Sequence, residues 1–448
     1  MRALLLSTYD LGRQPFGLAS AAAALRAHGV EVSCQDLAKE RLDPALVGAS
    51  DVVALYLPMH TATRLAVPVI DRVRGLNAEA RLCAFGLYAA LNEAVLREHG
   101  VNHVIGGEFE DQLVSSVLSP GHSDNEPASR VHVVPRVRFR IPVRDSLPPL
   151  GRYASLQIGG QRRTSGYTEA SRGCKHRCRH CPIVPVYDGR FRVVPIPIVL
   201  ADVRAQIAAG ARHITFGDPD FFNGVRHAAD LIRAFASEFP GISYDVTIKI
   251  EHLLRHAPLL ALLRQTGCLF VTSAVESLDD GVLRKLEKGH TRADFEKVVA
   301  ECRVADLALA PTFVPFTPWT SLHAYCDLLQ SIAHLGLIEN VSPIQLAIRL
   351  LITSGSRLLE LEDVRAVVGS YSAASLIYPW THPDPAVDEL QRRVERLVGA
   401  NLAADRPTLF RRIWQEAHQA AGMTAALEPD GPRVARATIP YLNEPWYC

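Results

Sequence analysis

Hydrophobic and polar positions in the first ~115 residues alternate between two periods. Short apolar runs at Arg2–Ser7, Val30–Cys34, Asp51–Tyr56, Arg81–Phe85 and Val101–Ile105 read as strands. Between them Leu18–His28, Arg64–Leu76 and Leu91–His99 carry apolar residues at three and four spacing, the mark of helices with one buried face. Strands alternating with helices in this way predict an α/β fold with a parallel, doubly wound, Rossmann-like sheet. Such a sheet binds ligands at its carboxyl edge, where the loops Asp10–Gly17, Pro58–Thr61, Gly86–Tyr88 and Gly106–Glu110 fall. Any one of these is ordinary turn chemistry, but four at one edge point to a ligand.

The pattern changes over ~116–165, where Ser119 to Pro127 is turn-rich and prolines recur at 135, 142, 148 and 149. This stretch reads as a connector with little regular structure, apart from a few strands around Arg130–Arg138. From Thr168 the alternation resumes. Strands are expected at His213–Phe216, Tyr244–Ile248, Leu269–Ala274, Leu307–Phe313 and Ile344–Leu350, and helices at Ile198–Ala209, Ala228–Phe239, His252–Gln265 and Arg292–Ala305. A second repeating block of this kind predicts a full or partial (β/α) barrel, again with its site at the strand carboxyl ends. After ~385 the periodicity is helical, at Val387–Ala400 and Leu409–Ala420. The expected division is 1–118 for the Rossmann-like domain, 119–165 for a linker, 166–385 for the barrel and 386–448 for a helical region and tail.

Composition narrows the function classes. The chain has 448 residues, beyond what one core of ~250–300 residues accommodates. Its 48% hydrophobic and 21% charged residues exclude wholesale disorder. Lysine plus arginine number 48 against 47 acids, so no overall field draws the protein to nucleic acid or an anionic membrane. The apolar run Ala3–Leu6 is too short for a signal peptide and no run approaches the ~18–20 residues of a membrane span, so a cytoplasmic protein is expected. Nine cysteines do not form the framework of a small disulfide-bonded domain. Cys34, Cys83, Cys268, Cys302 and Cys326 sit in apolar surroundings and read as buried small hydrophobes. The four tryptophans are too dispersed for an aromatic platform and read as packing residues.

The informative stretch runs from Arg172 to Pro182. Cys174, Cys178 and Cys181 lie within eight positions, spaced C-x3-C-x2-C, just after the strand-like Tyr167–Ala170. Thiolates at this density hold soft metal centres. Zinc is one reading, with His176 or His180 as fourth ligand, although zinc sites usually draw on two spaced pairs and no C-x-x-C pair lies elsewhere. The other is a four-iron cluster with one iron left open for a reactive ligand. Positive charge from Arg172, Lys175, Arg177 and Arg179 is expected to favour the thiolates.

On these residues the sequence resembles the radical S-adenosylmethionine (SAM) superfamily, whose hallmark is C-x3-C-x2-C after the first barrel strand. The resemblance implies a [4Fe-4S] cluster on Cys174, Cys178 and Cys181, SAM chelated at the open iron, and reductive cleavage of its sulfonium to a 5′-deoxyadenosyl radical. It implies SAM contacts from His180, which stands where an aromatic residue often packs near adenine, and from Gly217, Asp218 and Asp220, where the family has a Gly-Gly-Glu-like segment. Glu276, in a segment like the family's fourth-strand glutamate-serine, would bind ribose or align substrate. Lys249 would meet the SAM carboxylate, or simply pair with Glu251 or Asp245. A flavodoxin- or ferredoxin-type electron donor is implied as partner, with a small molecule or peptide as substrate and no nucleic acid or membrane.

The loop set of the first domain resembles the cobalamin-binding domain of B12-type radical enzymes. Gln14, Pro15, Phe16 and Gly17 match the opening of its first helix, and Gly107 and Glu108 its last turn. The resemblance makes these residues, with His60, Thr61, Gly86 and Tyr88, the candidate cobalamin contacts. The Asp-x-His-x-x-Gly motif that gives cobalt a histidine is missing, so cobalamin would lack that ligand. His60 is a substitute candidate, or a solvated loop histidine. Methyl transfer is the commonest chemistry implied; a vestigial domain without cobalamin, a non-catalytic cluster or cobalamin sensor, and cleavage of a different sulfonium bond are the alternatives. Over nearly all its length the chain is similar to bacterial radical SAM proteins named for a Cys-Cys-Ala-Glu-Pro or Cys-Sec-Ala-Glu-Pro tail. Since Glu444 to Cys448 stand where that tail would begin, the reading frame is expected to continue past a UGA codon, the alternative for Cys448 being an exposed free thiol.

Overall fold

The computed structural model describes residues 1–118, 137–158, 160–402 and 404–423. Strands β1 (Arg2–Ser7), β2 (Glu31–Asp36), β3 (Val52–Tyr56), β4 (Arg81–Phe85) and β5 (His103–Ile105) form one sheet in the order β2-β1-β3-β4-β5. All its pairings are parallel. Leu4, Leu5 and Leu6 are buried in succession because helices cover both faces, which is why β1 reads as a continuous apolar run. Helices Phe16–Arg26 and Glu110–Leu118 pack on one face and His60–Leu76 on the other. The strand order reverses between β1 and β3, which opens a crevice between the loops that follow them.

The second sheet contains β6 (Ser155–Ile158), β7 (Gln161–Thr168), β10 (His213–Phe216), β11 (Ser243–Thr247), β12 (Cys268–Glu276) and β13 (Ala308–Phe313), in the order β13-β12-β11-β10-β7-β6. The pairings from β7 to β13 are parallel, and β6 joins β7 as an antiparallel hairpin. The result is a curled half-barrel rather than a closed one. β8 (Ser171–Gly173) and β9 (Phe191–Val193) form a separate antiparallel pair that closes off the cysteine loop. The C-terminal helices Pro385–Ala400 and Arg406–Ala420 bury Leu390, Val394, Phe410, Ile413 and Trp414 in the barrel's own core. No helix among the described residues is long and apolar enough to cross a membrane.

Three expectations need correction. The end of the expected linker is a hairpin: Leu156 of β6 is fully buried against Phe270 and Ala308, and Gly160, at φ +76°, allows the tight return. Ile344–Leu350 is not a strand. Pro343 starts a 3-10 turn there, Gln345 Oε1 takes the Phe313 N–H at 3.2 Å, and a bridge from Phe316 to Arg349 represents the expected pairing. His252–Gln265 is two helices, Ile250–Arg255 and Pro258–Gln265, because Pro258 cannot continue the first. Residues 119–136, with most of the expected strands near 130–138, and 424–448, with Trp446, Cys448 and the tail expectation, lie outside the described residues.

Candidate functional site

The cysteine loop is set by its ends. Gly173 has φ +73°, and a Cβ there would stand 2.4 Å from Arg190 O and from the Tyr187 ring, so the turn into Cys174 requires glycine. Asn223 fastens the same turn: its Nδ2 donates to Gly173 O at 3.3 Å, and its Oδ1 accepts from Lys175 N at 3.2 Å. The Cys181 N–H donates to Cys178 O at 3.2 Å, folding the second half of the loop back on itself. Among the described residues every cysteine is a free thiol.

The cations near the sulfurs differ from those expected. Arg172 turns inward to three carboxylates, Arg177 pairs with Asp188 at 2.7 Å, and Arg179 pairs with Glu287 at 2.7 Å. Instead Lys249 brings Nζ to 3.9 Å from Cys178 Sγ, and the buried Lys288 is held in its charged form, against the pull of burial, by Glu276 and then by Cys178 and Cys181. Burial raises the Cys174 thiol and pushes Cys181 up to about 12, so these thiols wait for a metal rather than ionise unaided. The two histidines that the zinc reading called on are turned elsewhere. His180 Nε2 meets Glu276 Oε1 at 3.1 Å, and His176 Nε2 faces His252 Nε2 at 3.3 Å. Three thiols and two nearby ammoniums suit a thiolate-ligated iron–sulfur cluster.

Beside the loop a cavity of about 440 Å³ opens at the barrel mouth. Its walls include His180, Thr247, Phe270, Thr272, Glu276 and Arg349, and the first domain closes it with Leu11, Arg13 and Tyr88. Glu276 sits at φ +71°, and Lys288 and His180 hold its carboxyl down at about 2 although burial opposes this. Strain at a buried, charged residue facing a cavity is a feature of functional sites.

A second cavity, about 240 Å³, occupies the crevice between the two sheets. Phe16, Gly17, Gly86 and Gly107 line it from the first domain, and Tyr167, Glu169, Arg172 and Gly217 from the barrel. Arg13 borders both cavities, with its guanidinium 4.4 Å from the centre of the Tyr167 ring. Arg172 is the bolt beneath: its side chain, 8% exposed, reaches Glu110 at 2.7 Å, Glu169 at 2.8 Å and Glu108 at 3.2 Å. Burial raises Glu108 and Glu169, and Arg172 only partly offsets it.

The sequence-predicted residues are therefore spread over distinct places. His180 and Glu276 share the larger cavity, while Gly217 borders the smaller and seats the Tyr167 ring, which any Cβ there would strike. Asp218 is buried, accepting from Ala170 N at 3.0 Å and from the Ser171 hydroxyl. Asp220 lies beneath the loop against His176 and His252, and Lys249 has Glu251 at 3.7 Å while Asp245 pairs with His213. Of the first-domain residues, Tyr88 faces the larger cavity, Gln14 is bonded to Pro148 O and Arg144, and Glu108 to Arg172. Pro15 precedes the first helix, and Thr61 is buried in the third-strand helix. His60 is neither solvated nor at the crevice: it is 5% exposed and its Nε2 meets Ser375 O at 2.7 Å. Arg13, Tyr167 and Asn223 were missed; Arg13 and Asn223 lie in turns after β1 and β10 and Tyr167 is near the carboxyl end of β7, and only that placement signals them.

Residues 168–315 match the radical SAM superfamily. This part of the chain is a radical SAM domain. Curated relatives of the chain include tRNA-2-methylthio-N(6)-dimethylallyladenosine synthase of Chloroflexus aurantiacus, 23% identical over 289 residues, covering 59% of this chain and 54% of that protein. Another is the ribosomal protein uS12 methylthiotransferase RimO of Geobacter sulfurreducens, 22% identical, covering 37% of this chain and 39% of that one. The chain thus spans about half the length of the first and less of the second. Among solved structures the radical SAM domain and its N-terminal partner together resemble the cobalamin-dependent SAM radical enzyme OxsB with aqua-cobalamin bound, at TM-score 0.72 and 14% identity over 94% of this chain and 71% of that one. The radical SAM methyltransferase TsrM of Kitasatospora setae gives TM-score 0.58 and 18% identity over 74% of this chain and 70% of that one. These likenesses establish a shared fold.

Proposed function

We propose that the chain is a radical SAM enzyme that cleaves SAM reductively and, with a corrinoid in the crevice between its sheets, modifies a small molecule or peptide, methyl transfer being the favoured outcome. The observation that carries this reading is that the loop of three free thiols lends His180 and Pro182 to the wall of a 440 Å³ cavity, which Glu276 also lines and the first domain closes. Cys174, Cys178 and Cys181 would hold a [4Fe-4S] cluster, which when bound supplies the electron that breaks the sulfonium.

The chain's own residues do the rest. Glu276, ionised and braced by Lys288, presents a fixed negative charge to hydroxyls or an ammonium. His180 is held by that same carboxylate at the rim of the cysteine loop. Asp218 and Asp220 act from behind by shaping the loops after β7 and β10. Phe270, Pro311 and Phe313 give the larger cavity an apolar wall that excludes water from a reactive centre. In the crevice Phe16, Gly17, Gly86, Gly107 and Tyr167 would line a flat ligand, with Arg13 between it and the larger cavity. A flavodoxin- or ferredoxin-type reductant and a soluble setting in the cytoplasm complete the proposal.

A second reading, a radical SAM enzyme that takes no corrinoid, is favoured by the crevice volume of about 240 Å³, under the ~300–1,000 Å³ of ordinary ligand pockets. Anaerobic reconstitution with iron, sulfide and hydroxocobalamin tests both. The expected result is an iron–sulfur chromophore lost in Cys178→Ala, a co-eluting corrinoid spectrum, and 5′-deoxyadenosine formed from SAM with a strong reductant. Absence of 5′-deoxyadenosine from cluster-loaded protein overturns the enzyme reading, and a corrinoid-free spectrum with 5′-deoxyadenosine present selects the second.

A further inference from the structure

Beneath the cysteine loop, three side chains from three elements converge. His176 lies between Cys174 and Cys178, Asp220 follows β10, and His252 belongs to the helix Ile250–Arg255 that follows β11. One ligand atom from each lies within 4.8 Å of the other two. His176 Nε2 is 3.5 Å from Asp220 Oδ2 and 3.3 Å from His252 Nε2, and Asp220 Oδ2 is 2.6 Å from His252 Nδ1. The side chains of Asp220 and His252 are fully buried and that of His176 is 14% exposed.

Two of these atoms are orphans. Asp220 Oδ2 and His252 Nδ1 have no hydrogen-bond partner among the described residues, although they face one another at 2.6 Å, because the approach is off the line of an N–H. A buried carboxylate oxygen and a ring nitrogen so close without a shared proton repel through their lone pairs, and a cation bound to both converts that repulsion into attraction. The carboxylate is already oriented for this, since Asp220 Oδ1 accepts from the Phe222 N–H at 3.2 Å and leaves Oδ2 aimed at the imidazoles. Metal–ligand bonds of ~2.0–2.2 Å in a tetrahedron separate ligand atoms by roughly 3.3–3.5 Å. His176 Nε2 stands at that separation, 3.5 Å, from Asp220 Oδ2. The Asp220 Oδ2 to His252 Nδ1 edge, at 2.6 Å, must open by under about 1 Å to share the ion.

We propose that His176, Asp220 and His252 bind one first-row divalent cation of the zinc class, at a site distinct from the three thiols. Two imidazoles and a carboxylate select zinc, cobalt(II) or iron(II) over magnesium and calcium, which prefer oxygen ligands alone. The Glu251 carboxylate, 3.7 Å from His176 Nδ1, balances the Lys249 ammonium beside it, so the pocket is not electropositive. The cation pins the loop that carries Cys174 and Cys178 to the ends of two barrel strands, and its presence does not depend on whether the chain cleaves SAM.

Cobalt(II) is the probe. In the full-length chain with Cys174, Cys178 and Cys181 all replaced by alanine, so that thiolates cannot compete, one equivalent of Co²⁺ is expected to bind and give the visible d–d bands of a tetrahedral site. Adding His252→Ala or Asp220→Asn should weaken that binding by more than the ~100-fold typical of losing a mere supporting contact. A folded triple variant that shows no such bands, or bands unchanged by His252→Ala, overturns the site and leaves a hydrogen-bonded His–Asp–His chain. Should the triple variant not fold, zinc is measured by mass spectrometry in cysteine-intact, cluster-loaded protein. About one zinc per chain, lost in His176→Ala/His252→Ala with iron unchanged, supports the site; no zinc, or zinc and iron lost together, overturns it. Iron and 5′-deoxyadenosine report on the proposed function, zinc and cobalt on this site.

Discussion

Replacing Arg172 by methionine removes the guanidinium that faces Glu108, Glu110 and Glu169 at once and keeps the length of the side chain. The guanidinium bridges the first domain to β8, the short strand that leads into the cysteine loop, so its loss strikes the seam between the first domain and the barrel domain. Removing one partner of a buried ion pair costs about 3–5 kcal/mol, because the other is left charged and unsolvated. Three carboxylates are left here, but Glu108 and Glu169 have an escape, which is to take a proton. From an ordinary carboxyl pKa of 4.5, protonation costs about 5 kcal/mol at pH 8 and about 1.4 kcal/mol at pH 5.5. Burial already raises Glu108 and Glu169, which makes that escape easier. The deficit of the variant should therefore be about 3–5 kcal/mol near pH 8 and shrink to about 1–2 kcal/mol near pH 5.5. The sign follows from linkage: carboxylates raised in the folded state hold more protons there than in the unfolded chain, so stability falls as pH rises through their folded pKa. Urea unfolding of wild-type and Arg172→Met apoprotein, followed by circular dichroism at both pH values, measures the difference. A deficit below about 1 kcal/mol at the higher pH, or one equally large at the lower, would refute the reasoning. Adding Glu108→Gln to the variant should recover part of the loss, since one buried charge fewer then needs a partner.

Asp10, in the crevice, is raised by burial from 3.8 to about 7, with Arg13 opposing. Its contribution to stability is present below about pH 4 and lost as pH rises through about 7, by at most roughly 4 kcal/mol. Asp10→Asn should flatten the decline in thermal midpoint between those limits, and parallel profiles for the two proteins would count against it. Gly173→Ala places a methyl 2.4 Å from Arg190 O at a left-handed backbone position, so reconstituted iron content should drop well below that of wild type while the far-ultraviolet spectrum is kept; full iron loading would show that the turn can shift.

What the amino-acid order alone determined is local. Short β-type runs placed all five strands of the first sheet to within two residues of each end, and His213–Phe216 in the second without error, because strands covered on both faces read as compact, mainly apolar runs between turns. The spacing of Cys174, Cys178 and Cys181 pointed to a soft metal centre, zinc or iron–sulfur, and it was the resemblance to the radical SAM pattern that implied the cluster. Proline and glycine punctuation was legible but ambiguous: Pro258 split a helix that periodicity joined, and the proline-rich approach to Ser155 concealed a hairpin. Only the tertiary structure decided which charges meet. Arg172 stands two residues from Cys174 yet serves carboxylates 64 residues away, while Lys288, distant in sequence, supplies the charge near the sulfurs. His60, a loop histidine by its neighbours, is buried on Ser375, and His176 meets Asp220 and His252 across gaps that no motif spans. Coulomb and hydrogen-bond partners are chosen by distance in space, and a chain reports distance in space only after its cores have packed.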